Sequence, residues 1–444
     1  MATVYDTWHK THPRPTDKPC REHKGKYPTA DHGKGKRWQV RYRDPSGEQR
    51  KLNFARRADA DAEASRLDND LNRGAYIDPT LGKETFREVG ERWRASAVHG
   101  SSTVERVDRA LRLHIYPILG DGAIAGFKTS EIQAWVKDRS KVLAPSTLRV
   151  HYSYVTAIFR VAELDRQIPF NPTKGVKLPP PPRKEIVPLA VEVVAALVDA
   201  APGWYRVLLL LAAASGLRQG ELFGLELEHI DFKRGTVQVK QQVVGPDRGE
   251  PYLAPPKTHE SYRTVPVAKP AMDALAAHLE KYPARRVDIE DRTDPRPSKW
   301  KRRKALLVFT NERGEAIRRA AWASVWETLV RVADKALRKQ YEGALKSWER
   351  RGRLADAEPT LRQVPDDATM HDLRHFYASV LIKHRESVKT VQKRLGHAKP
   401  SITLNTYTHL WPDEEDTTRA AIEAVFSAVP SMCPPRSGMA LSST

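Results

Sequence analysis

The sequence predicts a multidomain chain, mainly α with small β-sheets, and three observations lead there. Residues 84–170 repeat apolar side chains at helical spacing behind helix-start signals. Short alternating runs bounded by turn residues stand at 38–54, 236–244 and 263–267. Between these blocks, Asn171-Pro172 and Pro179-Pro180-Pro181-Pro182 mark a stiff, extended linker. At 444 residues the chain is also longer than one hydrophobic core usually supports.

Residues 1–36 are rich in Pro, His and Lys, show no apolar period, and read as an irregular basic N-terminus. Residues 37–74 read as a small β domain with one helix. Trp38-Gln39-Val40-Arg41-Tyr42-Arg43 alternates large apolar with polar residues, Asp44-Pro45-Ser46-Gly47 is a turn signal, residues 49–54 return, and a mostly polar helix covers residues 58–72. Within residues 1–60 there are 15 Lys and Arg against 7 Asp and Glu, a net of +8. Trp38, Arg41, Tyr42 and Arg43 are therefore candidates for a strand face laid into a nucleic-acid groove.

Residues 84–170 read as a compact helical domain. Thr85-x-x-Glu88, Ser102-x-x-Glu105 and Ser130-x-x-Gln133 fit the capping box, in which a hydroxyl and a carboxylate or amide satisfy the free amides of a helix start. Phe86, Val89 and Trp93 share one helical face, as do Tyr154, Ile158 and Val161. Of the exposed cations here, Arg149 is singled out as a phosphate contact. After the linker, taken as 171–184, the largest unit spans 185–428. It opens with helices over residues 191–200 and 205–214, continues through the two strands, and ends in further helices. Two polar stretches, 284–304 and 340–366, read as surface insertions, and 429–444 as a disordered tail. Residues 416–425 read as an amphipathic helix.

The net charge of +20 implies a polyanionic partner, and nucleic acid suits it better than a membrane surface. No run of roughly 18 apolar residues occurs, so no membrane span is expected. The N-terminus does not read as a secretory signal, and the two cysteines, Cys20 and Cys433, make no disulfide framework; a reducing cytoplasm is expected.

The chemistry gathers in the last unit. Gly216-Leu217-Arg218-x-x-Glu221-Leu222, His371-x-Leu373-Arg374-His375, Leu395-Gly396-His397 and Thr403-x-Asn405-x-Tyr407-x-His409 follow one another in that order. Guanidinium groups bind two phosphate oxygens at once and stay ionised, histidines donate to oxygens or move protons, and a phenol can attack phosphorus. Arg218 and His397 each follow a glycine at a helix start. Arg374 lies one turn from His371, with Asp366, Asp367 and Thr369 available to cap that helix. His371 and His375 have a zinc spacing, but Asp372 is shorter than the required glutamate and Arg374 sets a cation on the metal face. Cys20-x-x-His23, with His9, His12 and His32 nearby, lacks a second pair of the usual pattern, so no metal ligand is assigned. No Walker-type phosphate loop is present.

Together these motifs resemble the tyrosine recombinase family, also called phage integrases, over residues 37–427 and most closely over 205–412. The resemblance implies a three-stranded, arm-site-binding-like N-terminal domain, a helical core-binding domain and a mixed α+β catalytic domain. It implies a site-specific DNA recombinase of a phage, prophage or other integrating element that acts through a 3′-phosphotyrosine, with no metal or nucleotide cofactor. Tyr407 is then the nucleophile, Arg218 and Arg374 stabilise the transition state, His371 assists proton transfer from the phenol, and His397 bonds a phosphate oxygen. Lys257, in Pro256-Lys257-Thr258-x-x-Ser261-x-Arg263-x-Val265-Pro266, matches the family's general acid, with Lys240 a weaker match.

Double-stranded DNA bearing attachment sites is the implied partner, bound by a homotetramer in the synaptic complex. An accessory DNA-bending protein or an excisionase is a further partner class. The helix at 416–425 either docks on a neighbouring protomer or packs on its own domain. Two other readings stay open: a catalytically silent DNA-binding descendant, which would form no adduct on a suicide substrate, and a type IB topoisomerase, which would cleave any duplex.

Overall fold

The computed structural model describes residues 2–45, 47–73, 76, 81–98, 100–181, 185–245, 249–351 and 357–411. The chain divides into two compact units, residues 1–183 and 184 onward. No described helix is long and apolar enough to cross a membrane.

In the first unit, strands β1 (Thr3–Asp6), β2 (Trp38–Arg43) and β3 (Gln49–Phe54) form an antiparallel sheet in that order, and helix α1 (Arg57–Asn72) packs on one face. The third strand comes from the stretch read as irregular. Thr3–Asp6 is too short to show a period, and it is specified by pairing with β2, Val4 opposite Val40. Strand alternation sends Val40 and Tyr42 into a small core with Ala60, Ala64 and Leu67, while Arg41 and Arg43 face out.

The helices α2 (Phe86–Ser96), α3 (Ser101–Ala110), α4 (Tyr116–Leu119), α5 (Thr129–Arg139) and α6 (Pro145–Leu164) enclose a second core around Phe86, Ile115, Trp135 and Phe159. The Thr85–Glu88 capping box forms as expected. The other two helix starts lie earlier than expected. Helix α3 begins after Gly100. In α5 the carboxylate of Glu131 accepts from the Lys128 amide at 2.8 Å, which leaves Ser130 inside the helix. The linker begins later than Asn171, whose buried amide donates to Thr156 O and accepts from Thr173.

The second unit contains α7 (Val191–Ala200), α8 (Gly203–Ser215), α9 (Gln219–Phe223), β4 (Ile230–Asp231), β5 (Thr236–Val239), β6 (Gln242–Val244), β7 (Tyr252–Ala254) and β8 (Arg263–Pro266). It continues with α10 (Lys269–Lys281), β9 (Arg285–Asp291), β10 (Lys301–Leu307), α11 (Arg319–Arg350), α12 (Met370–Lys383), α13 (Val388–Leu395) and α14 (Pro400–Tyr407). The single strand expected over 236–244 breaks in two. β5 joins a sheet ordered β4-β5-β8, and β6 a sheet ordered β10-β9-β7-β6. Gln241 marks the break, its buried amide donating to Gly224 O and Glu226.

Both polar stretches carry regular structure among the described residues. Residues 285–307 contain a hairpin whose Val287, Ile289, Ala305 and Leu307 enter the core. Arg303, read as a surface cation, grips Glu226 at 2.6 Å and Asp291 at 2.6 Å. Residues 340–350 belong to the last turns of α11. The middle of the 340–366 stretch, the end of the linker, the expected helix at 416–425 and the tail at 429–444 lie outside the described residues.

Candidate active site

The site forms where α8, α9, α12, α13 and α14 converge. Helix α8 ends at Gly216 in a left-handed conformation (φ 62°), and α13 ends likewise at Gly396 (φ 62°). Both positions need glycine for space as well as for φ. A Cβ on Gly216 would meet the Tyr377 ring at 2.4 Å, and one on Gly396 the Glu260 carbonyl oxygen at 3.0 Å. The carbonyls freed at these two helix ends hold the two arginines.

Arg374, on α12, is 2% exposed and donates through Nη1 to Gly216 O at 2.6 Å and through Nη2 to Leu395 O. Arg218 caps the start of α9. It donates to Gly396 O at 3.1 Å, to the Ser261 hydroxyl at 3.2 Å and to Glu221 Oε1 at 2.8 Å. The negative ends of α8 and α13 thus stabilise two neighbouring cations. Burial, and then the charge of Arg218, push the Arg374 pKa down from its ordinary value.

Glu221 balances this charge. It is buried and bridges Arg218 to Arg263, whose Nη2 lies 2.8 Å from Glu221 Oε2, while Arg263 Nε donates to Arg394 O at 2.7 Å. Burial raises the carboxyl pKa, but hydrogen bonds and charge from Arg263, then Arg218, outweigh it and leave it lowered. The motifs contained Glu221 and Arg263, yet only packing reveals their part: they fix the position of Arg218.

Tyr407 ends α14 and is 1% exposed, packed with Tyr377, Ala378, Val391 and Leu395. Its hydroxyl lies 2.7 Å from His375 Nδ1. Burial raises the phenol to about 12, opposed by the charge of Arg374. His371, expected to assist the phenol, stands edge-on to His375, ring centroids 4.8 Å apart. Thr369 caps α12 as expected, its hydroxyl accepting from His371 N and Asp372 accepting from Thr369 N at 2.7 Å. All three histidines are held below the usual imidazole range. Desolvation comes first in each case, joined by His375 and Arg374 at His371 (about 4), and by Arg374 and Arg218 at His397 (about 3). His397 Nδ1 is anchored on the buried Thr403 hydroxyl at 2.9 Å.

Lys257 stands exposed in the connection from β7 to β8, which leads between two sheets and is not a hairpin turn; Lys240 is exposed where β5 passes to β6. The structure therefore gathers Arg218, His371, Arg374, His397 and Tyr407, and leaves Lys257 on a surface connection.

Among the DNA-contact candidates, Arg41 and Arg43 are exposed, and the Arg41 guanidinium lies over the Tyr5 ring at 4.6 Å. Tyr42 is a correction. It is 4% exposed and its hydroxyl pairs with Tyr76 at 3.0 Å, because strand alternation points it at α1. Trp38 shares that side and is flanked by Arg37 and Arg57. Arg149 is exposed and donates to Pro179 O at 2.9 Å.

Two arginines anchored on helix ends, with a buried phenol held on a histidine, are the parts of a phosphoryl-transfer site built on tyrosine. Residues 188–414, just over half of the chain, match the model of the phage integrase family. The chain belongs to that family and is a site-specific recombinase of the tyrosine type. Similar proteins include a tyrosine recombinase XerC-like protein of Caldanaerobacter subterraneus subsp. tengcongensis, 26% identical over 302 residues, which are 63% of this chain and 66% of that protein. A putative prophage phiRv2 integrase of Mycobacterium tuberculosis is 24% identical over 382 residues, 84% of this chain and 88% of that protein. The Tn1549 transposon integrase, solved in complex with a circular intermediate DNA, shares the fold with a TM-score of 0.60 at 18% identity, over 77% of this chain and 99% of that one.

Proposed function

We propose that Tyr407 attacks a scissile phosphodiester of duplex DNA, with the other site residues serving that step. The phenol oxygen bonds to phosphorus in line with the departing 5′-oxygen, giving a 3′-phosphotyrosine and a free 5′-hydroxyl. The phenol is protonated at neutral pH, so a base must take its proton. Neutral His375, already hydrogen-bonded to it, is that base. Arg218 and Arg374 meet the non-bridging oxygens as charge gathers on them. His371 and His397 are neutral and hydrogen-bond the same oxygens. Lys257 protonates the leaving 5′-oxygen from the β7–β8 connection, whose Ser261 accepts from Arg218 at 3.2 Å. Because the phosphotyrosine conserves the bond energy, the 5′-hydroxyl of another strand reverses the step and joins new partners. No metal or nucleotide takes part in this step.

The working form is a homotetramer on two synapsed attachment sites, in the cytoplasm of a bacterial host, serving a phage, prophage or integrative element. Arg41, Arg43 and Arg149 contact DNA backbone, consistent with the basic charge of the first unit. The carrying observation is the hydroxyl of Tyr407 held on His375 beside Arg374. On a nicked suicide substrate the wild-type chain is expected to form a covalent adduct that survives denaturing electrophoresis. Tyr407→Phe is expected to retard the same DNA and form none. An adduct in that variant would overturn the assignment.

A further inference from the structure

We propose that the connection between β1 and β2 folds around a zinc ion held by His9, Cys20, His23 and His32. The sequence reading assigned no metal, since these residues lack paired spacing; the fold gathers them. One ligand atom from each lies within 4.8 Å of every other. Cys20 Sγ is 3.5 Å from His23 Nδ1 and 3.2 Å from His32 Nε2. Bond lengths of about 2.3 Å to sulfur and about 2.0 Å to nitrogen at tetrahedral angles place such atoms about 3.5 Å apart. The three imidazoles stand mutually edge-on, with centroids 4.8, 5.1 and 5.6 Å apart, so their nitrogens and the thiol converge on one point.

A second, independent observation points to the same ligand. His9 is 5% exposed, and its Nε2 is buried with no hydrogen-bond partner. Its Nδ1 meets Asp6 Oδ2 at 2.9 Å, and Asp6 is itself held by Lys26 and Arg37. A carboxylate on one ring nitrogen fixes the tautomer that leaves the other free to ligate, the usual outer support of a zinc-binding histidine.

The surrounding chain has a need for such a centre. No residue between 7 and 36 belongs to the small core of the N-terminal sheet, and this stretch contains no helix or strand among the described residues. It is held by backbone bonds such as Lys10 N to Tyr27 O and Cys20 N to Lys26 O. Small units without enough apolar burial commonly use a metal for this purpose. One thiolate and three imidazoles in a closed tetrahedral set favour Zn²⁺ over hard cations.

The test uses the full chain. Purified after expression with zinc, it is expected to carry about one equivalent by elemental analysis. Exchanged into Co²⁺, it is expected to show the intense visible bands of tetrahedral cobalt and a near-ultraviolet thiolate band. That thiolate band should survive Cys433→Ser, which removes the other cysteine. Cys20→His, which keeps four donors, should retain the visible bands and lose the thiolate band. Zinc removal should expose the lysines and arginines of residues 10–37 to trypsin. Absence of stoichiometric zinc and of tetrahedral cobalt bands in the wild-type chain would overturn the proposal, as would a thiolate band unchanged by Cys20→His.

Discussion

His375 Nδ1 lies 2.7 Å from the hydroxyl of Tyr407, although 32 residues separate them along the chain. The contact sets which of two histidines one turn apart meets the phenol. Helical spacing puts His371 and His375 on one face of α12; only the approach of α14 selects the second.

This contact predicts a pH dependence. His375 is lowered from 6.5 mainly by desolvation, so it is neutral at pH 7 and becomes protonated only below 6.5. Single-turnover cleavage should therefore hold down to about pH 6.5 and fall as acid protonates the acceptor. His375→Gln should lose roughly 10²–10⁴ in rate at neutral pH, the typical share of a general base, and regain part of it as pH rises toward the phenol value of about 12. A rate in that variant that ignores pH would refute the base assignment.

The two arginines should separate stability from chemistry. Arg374→Ala leaves the carbonyls of Gly216 and Leu395 without their buried donor, at a cost of about 1–3 kcal/mol for each. Arg218 has 26% of its side chain exposed, and its removal still leaves Glu221 paired with Arg263. Both alanine variants should lose about 10²–10³ or more in cleavage rate. Only Arg374→Ala should show a marked drop in melting temperature, and equal drops would contradict the clamp geometry.

Lys257 is exposed on a connection whose Ser261 accepts from Arg218, so its role is open to a chemical rescue. With a normal substrate, Lys257→Ala should slow cleavage about 10²–10⁴-fold as a missing general acid. A bridging 5′-sulfur leaves without protonation and should restore the rate. Lys240→Ala should be close to wild type on both substrates. The reverse pattern would move the acid to Lys240.

The N-terminal sheet offers a test of its two faces. Arg41→Ala and Arg43→Ala should each weaken DNA retention and reduce the salt slope by about 1. Tyr42→Phe removes a buried hydrogen bond to Tyr76, so about 0.5–1.5 kcal/mol of stability should go while the salt slope stays. A changed slope for Tyr42→Phe would mean that it reaches the DNA.

The helices and the site motifs were legible because their signals are local. Thr85 with Glu88, the apolar run of α8, and Gly216 or Gly396 just past a helix end each carry a mechanism within a few residues. What stayed hidden depends on distant pairing. Thr3–Asp6 becomes a strand only against β2. The charges of Lys301, Arg302, Arg303 and Lys304 mask a hairpin whose Ala305 and Leu307 are buried. The sheet side taken by Tyr42 was open to error because one-residue alternation gives two faces without saying which of them α1 covers. Glu221 and Arg263 were in plain view as letters, but a bridge across 42 residues has no spacing rule.

The seating of Arg374 makes the site a product of long-range folding. Its two anchoring carbonyls belong to segments 158 and 21 residues away, so no local fragment can assemble the charge cage. On the proposed chemistry, a partly folded copy keeps the phenol but lacks the cage that would serve it. The proposed strand-cutting step therefore waits on tertiary assembly.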